Sequence, residues 1–396
     1  MPSDAPTLSV RALNRATLAR QHLLAASTLG TAAMVTHLNG IQTQAPQAPY
    51  LALWSRMEAF QPADLSAGLL DRSFVRIVTM RGTVHLHTAA DALTMRALVQ
   101  PAIASRLTGM ADYRRMAEQV DPESVLAWGR EQVEREPATL AALRPSLKAR
   151  WPDLDPQLAT RLLNYVLPMV QVPPRGLWGA SGQPVLTTME AWTGSAMPAE
   201  PDIDAIVLRY LAAYGPASVL DAQTWSGLTR LGAVFARLRQ RLAVFRDEGG
   251  RELFDLPDAP RPDEEVPAPV RILAPFDNIL IGYKDRSRIM PPGHQPLIFT
   301  QNGLVRPTVL VDGFAAGIAA ITRTKSDAIL SIDLFHDVPP ALREEIEAEG
   351  LRLLAFAEPD ATTATVELSA GQSDAASNIH ASSRGMISRK SPPSTA

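Results

Sequence analysis

Two glutamines separated by one residue, Gln42 and Gln44, form the pattern in this sequence best suited to chemistry. In an extended segment, residues i and i+2 point to the same side, so both carboxamides can face one small volume while Thr43 faces away. Each carboxamide supplies two N–H donors and an acceptor oxygen, and two together can hold and orient a water molecule. The alternative is that both are solvent-exposed polar residues of a loop, the usual case for so short a motif.

A second pair with the same spacing, His85 and His87, lies on a predicted strand that follows a turn containing Arg81. A His-x-His pair can bind metal, but the sequence offers no further ligand at a suitable spacing, and we expect no metal site. All three residues are candidates for contacting phosphates or lining a pocket. The alternative for the two histidines is that they are satisfied strand residues at the edge of a core.

Further candidates for nucleic-acid contacts are Arg175 and Trp178, which lie in a Gly-rich segment. They can reach a backbone or bases, or the tryptophan can pack back onto its own unit. Arg11, Arg15 and Arg20 share the polar side of the first predicted helix. Such a run is usually a solvated face, but here it can also follow a phosphate strand.

Several reaction classes are excluded by what the sequence lacks. It contains no cysteine, which excludes disulfides, thiolate zinc sites, iron–sulfur clusters and a cysteine nucleophile. Because it has no Walker loop, Rossmann glycine pattern, Gly-x-Ser-x-Gly or His-Glu-x-x-His, we expect no nucleotide cofactor and no other cofactor. Asp277 fits a structural ion pair or a turn cap better than a catalytic role.

Composition indicates a cytoplasmic protein. No run of about 18 uncharged apolar residues is present, and the polar first ten residues do not resemble a secretory signal. The formal net charge is −3 and the pI is near 6.2, so overall charge does not by itself favour nucleic-acid binding.

The hydrophobic pattern of the first hundred residues predicts a winged helix-turn-helix unit over residues 8–110. Helical periodicity covers Val10–Ala26, Leu29–Leu38 and Tyr50–Ala59. Alternation in Phe74–Thr79 and Thr83–His87 then predicts a β-hairpin. Three helices followed by a hairpin are typical of a winged helix.

The same order of elements recurs, which predicts a tandem architecture. We expect second and third winged-helix units over residues 120–200 and 201–258, with helical breaks at Pro137, Pro145 and Pro152 in the second. A Pro- and acid-rich linker, 259–267, precedes a C-terminal α+β region, 268–369. The Ser-, Ala- and Pro-rich residues 371–396 predict a disordered tail. The expected fold class is therefore α+β, mainly α.

In five motifs that occur in order over about residues 8 to 335, the sequence resembles the tandem winged-helix DNA glycosylases of the AlkZ and YcaQ type. The motifs are Leu13–Gln21, Asn39–Pro46, Arg81–His85, Arg175–Trp178 and Pro275–Arg286. The resemblance implies three winged-helix units around a channel for double-stranded DNA. It also implies a catalytic Gln-x-Gln, here Gln42 and Gln44, although many members have a larger apolar residue where this chain has Thr43.

The Gln-x-Gln form implies activity on bulky N7-alkylguanine adducts and interstrand crosslinks. An amide is too weak a base to replace the carboxylates of ordinary glycoside hydrolysis. An N7-alkylated guanine is cationic and departs as a neutral base without a protonating acid, so two amides that position a water can suffice. We therefore expect a monofunctional glycosylase with a shallow, open site.

The competing hypothesis is a non-catalytic winged-helix regulator. A regulator usually dimerises over paired half-sites and reads one operator with a recognition helix. Three dissimilar winged units in one chain favour a monomer that wraps one site instead.

Overall fold

The computed structural model describes residues 5–370, so the predicted disordered tail, 371–396, lies outside the described residues. The fold is α+β with more helical than extended residues. The helices are α1 (Val10–Arg20), α2 (Thr31–His37), α3 (Ala48–Trp54), α4 (Pro62–Leu70), α5 (Ala89–Thr108), α6 (Ala111–Gln119), α7 (Pro122–Arg135), α8 (Leu140–Arg150), α9 (Pro156–Val166), α10 (Met189–Thr193), α11 (Ile203–Tyr214), α12 (Val219–Ser226), α13 (Gly232–Leu238), α14 (Asn278–Ile281), α15 (Gln295–Ile298) and α16 (Pro340–Ala357). The strands are β1 (Thr7–Leu8), β2 (Ile41–Gln42), β3 (Phe74–Val78), β4 (Val84–Thr88), β5 (Met169–Val172), β6 (Val185–Thr188), β7 (Ala243–Asp247), β8 (Glu252–Asp255), β9 (Arg271–Leu273), β10 (Thr308–Val311), β11 (Phe314–Arg323), β12 (Asp327–Leu334) and β13 (Thr363–Ala370).

The strands form three sheets, and two of them join parts of the chain that the sequence predicts as separate units. One has the order β2-β4-β3-β5-β6, so the first two predicted hairpins share a single sheet through antiparallel pairing of β3 with β5. A second, β1-β7-β8, adds the N-terminal strand in parallel to the third hairpin. The third sheet, β13-β12-β11-β10-β9, belongs to the C-terminal region. Units 1 and 2 are therefore not independent layers.

Local signals explain most element boundaries. Ser9 caps α1 because its side chain accepts a hydrogen bond from the Ala12 amide. The Asp312-Gly313 pair makes the tight turn between β10 and β11, and both residues have positive φ, +46° and +83°. All three predicted hairpins, β3–β4, β5–β6 and β7–β8, are present.

Some sequence predictions of the elements are wrong. The first helix ends at Arg20 and not at Ala26, since His22 adopts a φ of +54°. Contrary to the sequence prediction, Pro145 does not break a helix of the second unit but lies inside α8. The helix α4 and the strand β13, which pairs in parallel with β12, lie outside the predicted elements.

Part of the face of α1 predicted to be solvated is covered by later segments of the chain. Arg15 is fully buried, donates to the carbonyl oxygens of Val266 and Asp312, and pairs with the Asp312 carboxylate. Arg11 is partly exposed and pairs with Asp312 at 2.5 Å. The prediction that Arg15 lies on an open, DNA-facing surface is therefore wrong, and the charge of Arg11 is already compensated.

Two further buried arginines hold distant parts of the chain together. Arg20 binds the Asp255 carboxylate through both of its Nη atoms, at 2.6 and 2.7 Å. Arg56, after α3, binds both oxygens of Asp277 at 2.8 and 2.9 Å, and both side chains are only 2% exposed. Asp277 also accepts from the Ile279 amide at the start of α14. Asp277 thus serves both structural roles predicted for it, ion pair and turn cap.

We expect Asp277→Asn to lower the free energy of unfolding by about 3 to 5 kcal/mol, because it leaves the Arg56 guanidinium buried without its counter-charge. Asp337, which is 86% exposed in its pair with Arg343, provides the control. Asp337→Asn should change stability by less than about 1 kcal/mol. Urea unfolding of the two variants measures this, and equal losses would contradict the assignment.

Candidate active site

A sharp reversal after α2 creates the strand that carries Gln42. Asn39 and Gly40 have φ values of +56° and +90°, and the chain then enters β2. A Cβ on Gly40 would lie 2.2 Å from Cε1 of His87, so only glycine allows this approach. The close contact places β2 at the edge of the sheet beside β4, with Gln42 opposite His85.

Gln42 is held at one end of its carboxamide and free at the other. The side chain is 5% exposed, and its Oε1 accepts a hydrogen bond from Arg81 Nη2 at 2.8 Å. Within residues 5–370, its Nε2 donates to no protein group, and it is not among the fully enclosed unpaired atoms. An N–H donor of Gln42 is therefore available to a ligand.

Gln44 lies in a different local environment. The strand β2 ends at Gln42, and Gln44 is an exposed residue in the following bend. Thr43 is fully buried and points into the interior, where its Oγ1 and carbonyl oxygen each accept from Arg76, both at 3.2 Å. The expectation that one extended strand carries both glutamines is wrong, because the strand includes only the first.

Arg76, on β3, fixes the segment between the two glutamines. It is 1% exposed and also donates to the Arg175 carbonyl oxygen at 3.1 Å. Burial lowers the pKa of Arg76 to about 10, so it remains charged at neutral pH. The side chain thereby connects Thr43 to the Gly-rich segment 174–182.

Arg81 was predicted to contact DNA from the wing turn, but its guanidinium is directed at protein groups. It donates to the Trp225 carbonyl oxygen, to Gln42, to Asn278 Oδ1 at 3.2 Å and to His85 Nε2 at 3.2 Å. Burial lowers the pKa of Arg81 to about 10. Its four partners belong to three different parts of the chain, so Arg81 connects the first hairpin to α12 and α14.

The two histidines of β4 are buried and neutral. His85 and His87 are 0% and 1% exposed, and desolvation lowers the pKa of His85 well below its usual value and that of His87 to about 4. Nδ1–H of His85 donates to the Thr83 carbonyl oxygen at 3.0 Å, which leaves Nε2 to accept from Arg81. The prediction that they contact phosphates is wrong for this structure, and the alternative of satisfied strand residues is correct.

The second predicted contact region is also anchored to the protein. Trp178 packs against Tyr50 and Phe356, with ring centroids 4.9 and 5.2 Å apart. Arg175 is partly exposed, donates to the Gly182 carbonyl oxygen, and is without an ion pair among the residues described. The tryptophan is therefore packed into the protein, but against the first unit and the C-terminal region and not against its own unit, while the arginine retains an uncompensated charge.

Three amide side chains that the sequence analysis did not single out complete the site. Gln47 donates to the Leu177 carbonyl oxygen and accepts from the Gly179 amide, which ties the Gly-rich segment to the Gln-x-Gln loop. Asn278 donates to the Gly40 carbonyl oxygen at 3.0 Å while accepting from Arg81. Asn39 is 1% exposed, and neither amide atom has a partner in the described chain. Only Asn39 had a local signal, the Asn-Gly turn dipeptide.

Two cavities among the described residues are lined by side chains other than the two glutamines. One, of about 10 Å³, lies behind β2 between Gly40, Arg56 and Asp277. The other, of about 250 Å³, lies at the start of α1. Neither is lined by Gln42 or Gln44, so the expectation of a shallow site stays a prediction. Over residues 5–370, no helix combines the length and apolar character needed to cross a membrane.

The buried His87 makes stability depend on pH. Its pKa is about 4 in the folded protein against 6.5 for an exposed histidine, so between these values the unfolded chain binds a proton that the folded protein does not. The contribution of neutral His87 to the free energy of unfolding is fully present above pH 6.5, and it falls by about 3 kcal/mol as the pH drops to 4. Urea unfolding at pH 7.5 and pH 4.5 should show a smaller difference for His87→Gln than for the unaltered protein. Identical differences would contradict this.

Comparison with known proteins bears on the fold and on the family. The solved structure of the Streptomyces sahachiroi DNA glycosylase AlkZ is similar in fold, with a TM-score of 0.74 at 20% sequence identity, covering 92% of this chain and 100% of that chain. No curated protein matches the sequence. The model of the family described as DNA glycosylase AlkZ-like matches residues 35–356. The chain belongs to the AlkZ-like DNA glycosylase family.

Proposed function

We propose that this DNA glycosylase hydrolyses the N-glycosidic bond of N7-alkylated purines in double-stranded DNA, including bulky adducts and interstrand crosslinks. It acts as a monofunctional enzyme: water displaces the base and leaves an abasic site. It works as a cytoplasmic monomer without a cofactor, and its three winged-helix units (8–110, 120–200 and 201–258) and C-terminal region (268–369) hold the duplex.

The observation that carries the proposal is the kind of group that surrounds Gln42. Within the described part of the chain, Gln42 is hydrogen-bonded to the Arg81 guanidinium, and the other side chains bonded to Arg81 are a neutral amide, Asn278, and a neutral imidazole, His85. The neighbouring carboxylate, Asp277, is fully engaged by Arg56. Because these residues include no free carboxylic acid, and because burial keeps His85 neutral by lowering its pKa, they offer no general acid to protonate a departing base.

The missing acid restricts the substrate. A neutral purine is a poor leaving group unless it is protonated, whereas an N7-alkylated purine already carries the positive charge and departs neutral. The protein then contributes to the reaction mainly by holding a water molecule next to the sugar carbon that it attacks. Gln42 and Gln44 supply the donors and acceptors for this task.

Arg175 is the best of the predicted residues for a phosphate contact. Its charge is not compensated by a carboxylate within residues 5–370, and its side chain is partly exposed at the same Gly-rich segment that Gln47 ties to the catalytic loop. A phosphate bound there would position the duplex relative to Gln44. Trp178, which packs against Tyr50 and Phe356, anchors this segment to the protein.

Base release tests the proposal directly. Duplex DNA with one 7-methylguanine is incubated with the protein and then heated in base, so that each abasic site becomes a strand break. We expect release by the unaltered protein and at least a 100-fold slower single-turnover rate for Gln42→Ala with Gln44→Ala, a loss on the order of that for removing a transition-state donor. DNA affinity should remain nearly unchanged.

The control removes an exposed carboxamide elsewhere, at Gln119 at the end of α6, and should leave the rate unchanged. Failure of the unaltered protein to release any alkylated base would contradict the proposal. A non-catalytic regulator would instead show no scission and a strong preference for one operator over random DNA.

A further inference from the structure

Arg81 has a backbone conformation that needs an explanation. Its φ is +58°, in the left-handed region that residues other than glycine rarely adopt, and its Cα and N lie against Gly227, where an added Cβ would come within 3.0 Å of both. Such outliers persist where the surrounding contacts over-determine them. Here the turn directs the guanidinium between the C-terminal end of α12 and Asn278.

The partners of Arg81 differ in kind from those of Arg15, Arg20 and Arg56. They also differ from those of Arg96, which binds main-chain carbonyl oxygens only, because three of the partners of Arg81 are side chains of the site. Arg15, Arg20 and Arg56 each pair with a carboxylate. Arg81 has four neutral acceptors and no ion pair within the described chain. A cation with only neutral partners gives a stronger hydrogen bond than a neutral donor would, while its own charge is left uncancelled.

The hydrogen bond from Arg81 determines how Gln42 is oriented. The carboxamide is planar, with its oxygen and its NH2 group at opposite ends. Because Oε1 is held by Arg81 at 2.8 Å, Nε2 must point away from the guanidinium, and the opposite orientation would bring two sets of N–H donors together. His85 keeps Arg81 in place, since its Nε2 accepts and its Nδ1–H is bound to the Thr83 carbonyl oxygen.

We infer that Arg81 is a positioning residue that fixes Gln42 as the donor of the catalytic pair and so leaves Gln44 as the acceptor. This inference rests on the proposed function. Gln42 Nε2–H donates a hydrogen bond to the oxygen of the attacking water, and Oε1 of Gln44, which has no fixed partner among residues 5–370, accepts a hydrogen bond from one of its O–H groups. The proton that the water loses on attack passes to the solvent, and the electrons of the glycosidic bond neutralise the departing cationic base. The second lone pair of the water remains free to attack the sugar carbon.

Carboxylate variants test the division of roles. Gln42→Glu keeps an acceptor for Arg81 but loses the donor, whereas Gln44→Glu keeps the acceptor. Single-turnover release of 7-methylguanine should fall about 100-fold or more in Gln42→Glu and stay within about tenfold of the unaltered rate, or rise, in Gln44→Glu. Equal losses, or the reverse order, would overturn the assignment.

A double-mutant cycle tests whether Arg81 acts through Gln42. Arg81→Met should slow release by about 10- to 100-fold, the cost of a misplaced reacting group. In the Gln42→Ala background the same change should have little further effect, because the group that it positions is gone. If Arg81 instead contacted a DNA phosphate, Arg81→Met would weaken DNA binding and reduce the salt dependence of that binding. Weaker binding or a reduced salt dependence would therefore contradict a positioning role.

Arg106→Met is the matched control. Arg106 donates to the main-chain oxygen of Arg81 at 2.6 Å, so this variant disturbs the same turn without touching the Gln42 hydrogen bond. The release rate should stay within about threefold, since positioning of the reacting groups is retained. If it falls as far as in Arg81→Met, the role of Arg81 is only to maintain the turn.

A structural measurement separates this inference from the proposed function. In crystal structures of the unaltered protein and Arg81→Met, the Gln42 side chain should be ordered with Oε1 on Arg81 in the first and reoriented in the second. An unchanged Gln42 would overturn the inference even if the enzyme is active. If Gln42 reorients in Arg81→Met as expected but the unaltered protein releases no base, the proposed reaction would be overturned, and the role of Arg81 in orienting Gln42 would still stand.

Discussion

The close packing of Gly40 against the imidazole of His87 is the contact on which the site depends. It allows the chain to reverse after α2 and add β2 to the edge of the sheet. The pairing of β2 with β4 then places Gln42 beside His85 and within reach of Arg81. Any side chain at Gly40 would push the strand away and separate the glutamine from the residues that orient it.

The buried arginines differ in the chemistry of their partners. Those paired with carboxylates, Arg15, Arg20 and Arg56, connect the N-terminal helices to segments more than two hundred residues later. Arg76 and Arg81 bind only neutral groups in the described chain, and both act on the Gln-x-Gln segment or its immediate neighbours. The arginines paired with carboxylates support the fold, and so do Arg96 and Arg288, which bind neutral oxygens away from the Gln-x-Gln segment. Arg76 and Arg81 lie at this segment and surround the proposed reaction with fixed dipoles and positive charge.

Elements that depend mainly on interactions between nearby residues could be predicted from the sequence. Alternation of apolar and polar residues located the three hairpins. The single sheet shared by the first two units could not be predicted, because the pairing of β3 with β5 joins residues that are far apart in sequence. The prediction for Arg15 was wrong for the same reason. The helical pattern places Arg15 on the polar face of α1, but it does not show that Asp312, which is far away in sequence, pairs with that residue.

The central claim is that the site releases only bases that already carry a positive charge. The most direct test compares single-turnover release of 7-methylguanine with that of 7-methyl-7-deazaguanine, a neutral base of nearly the same shape, from the same duplex. The account predicts release of the first and no detectable release of the second at equal occupancy. Comparable rates for the two would contradict it, because they would require a general acid that the amide site does not contain.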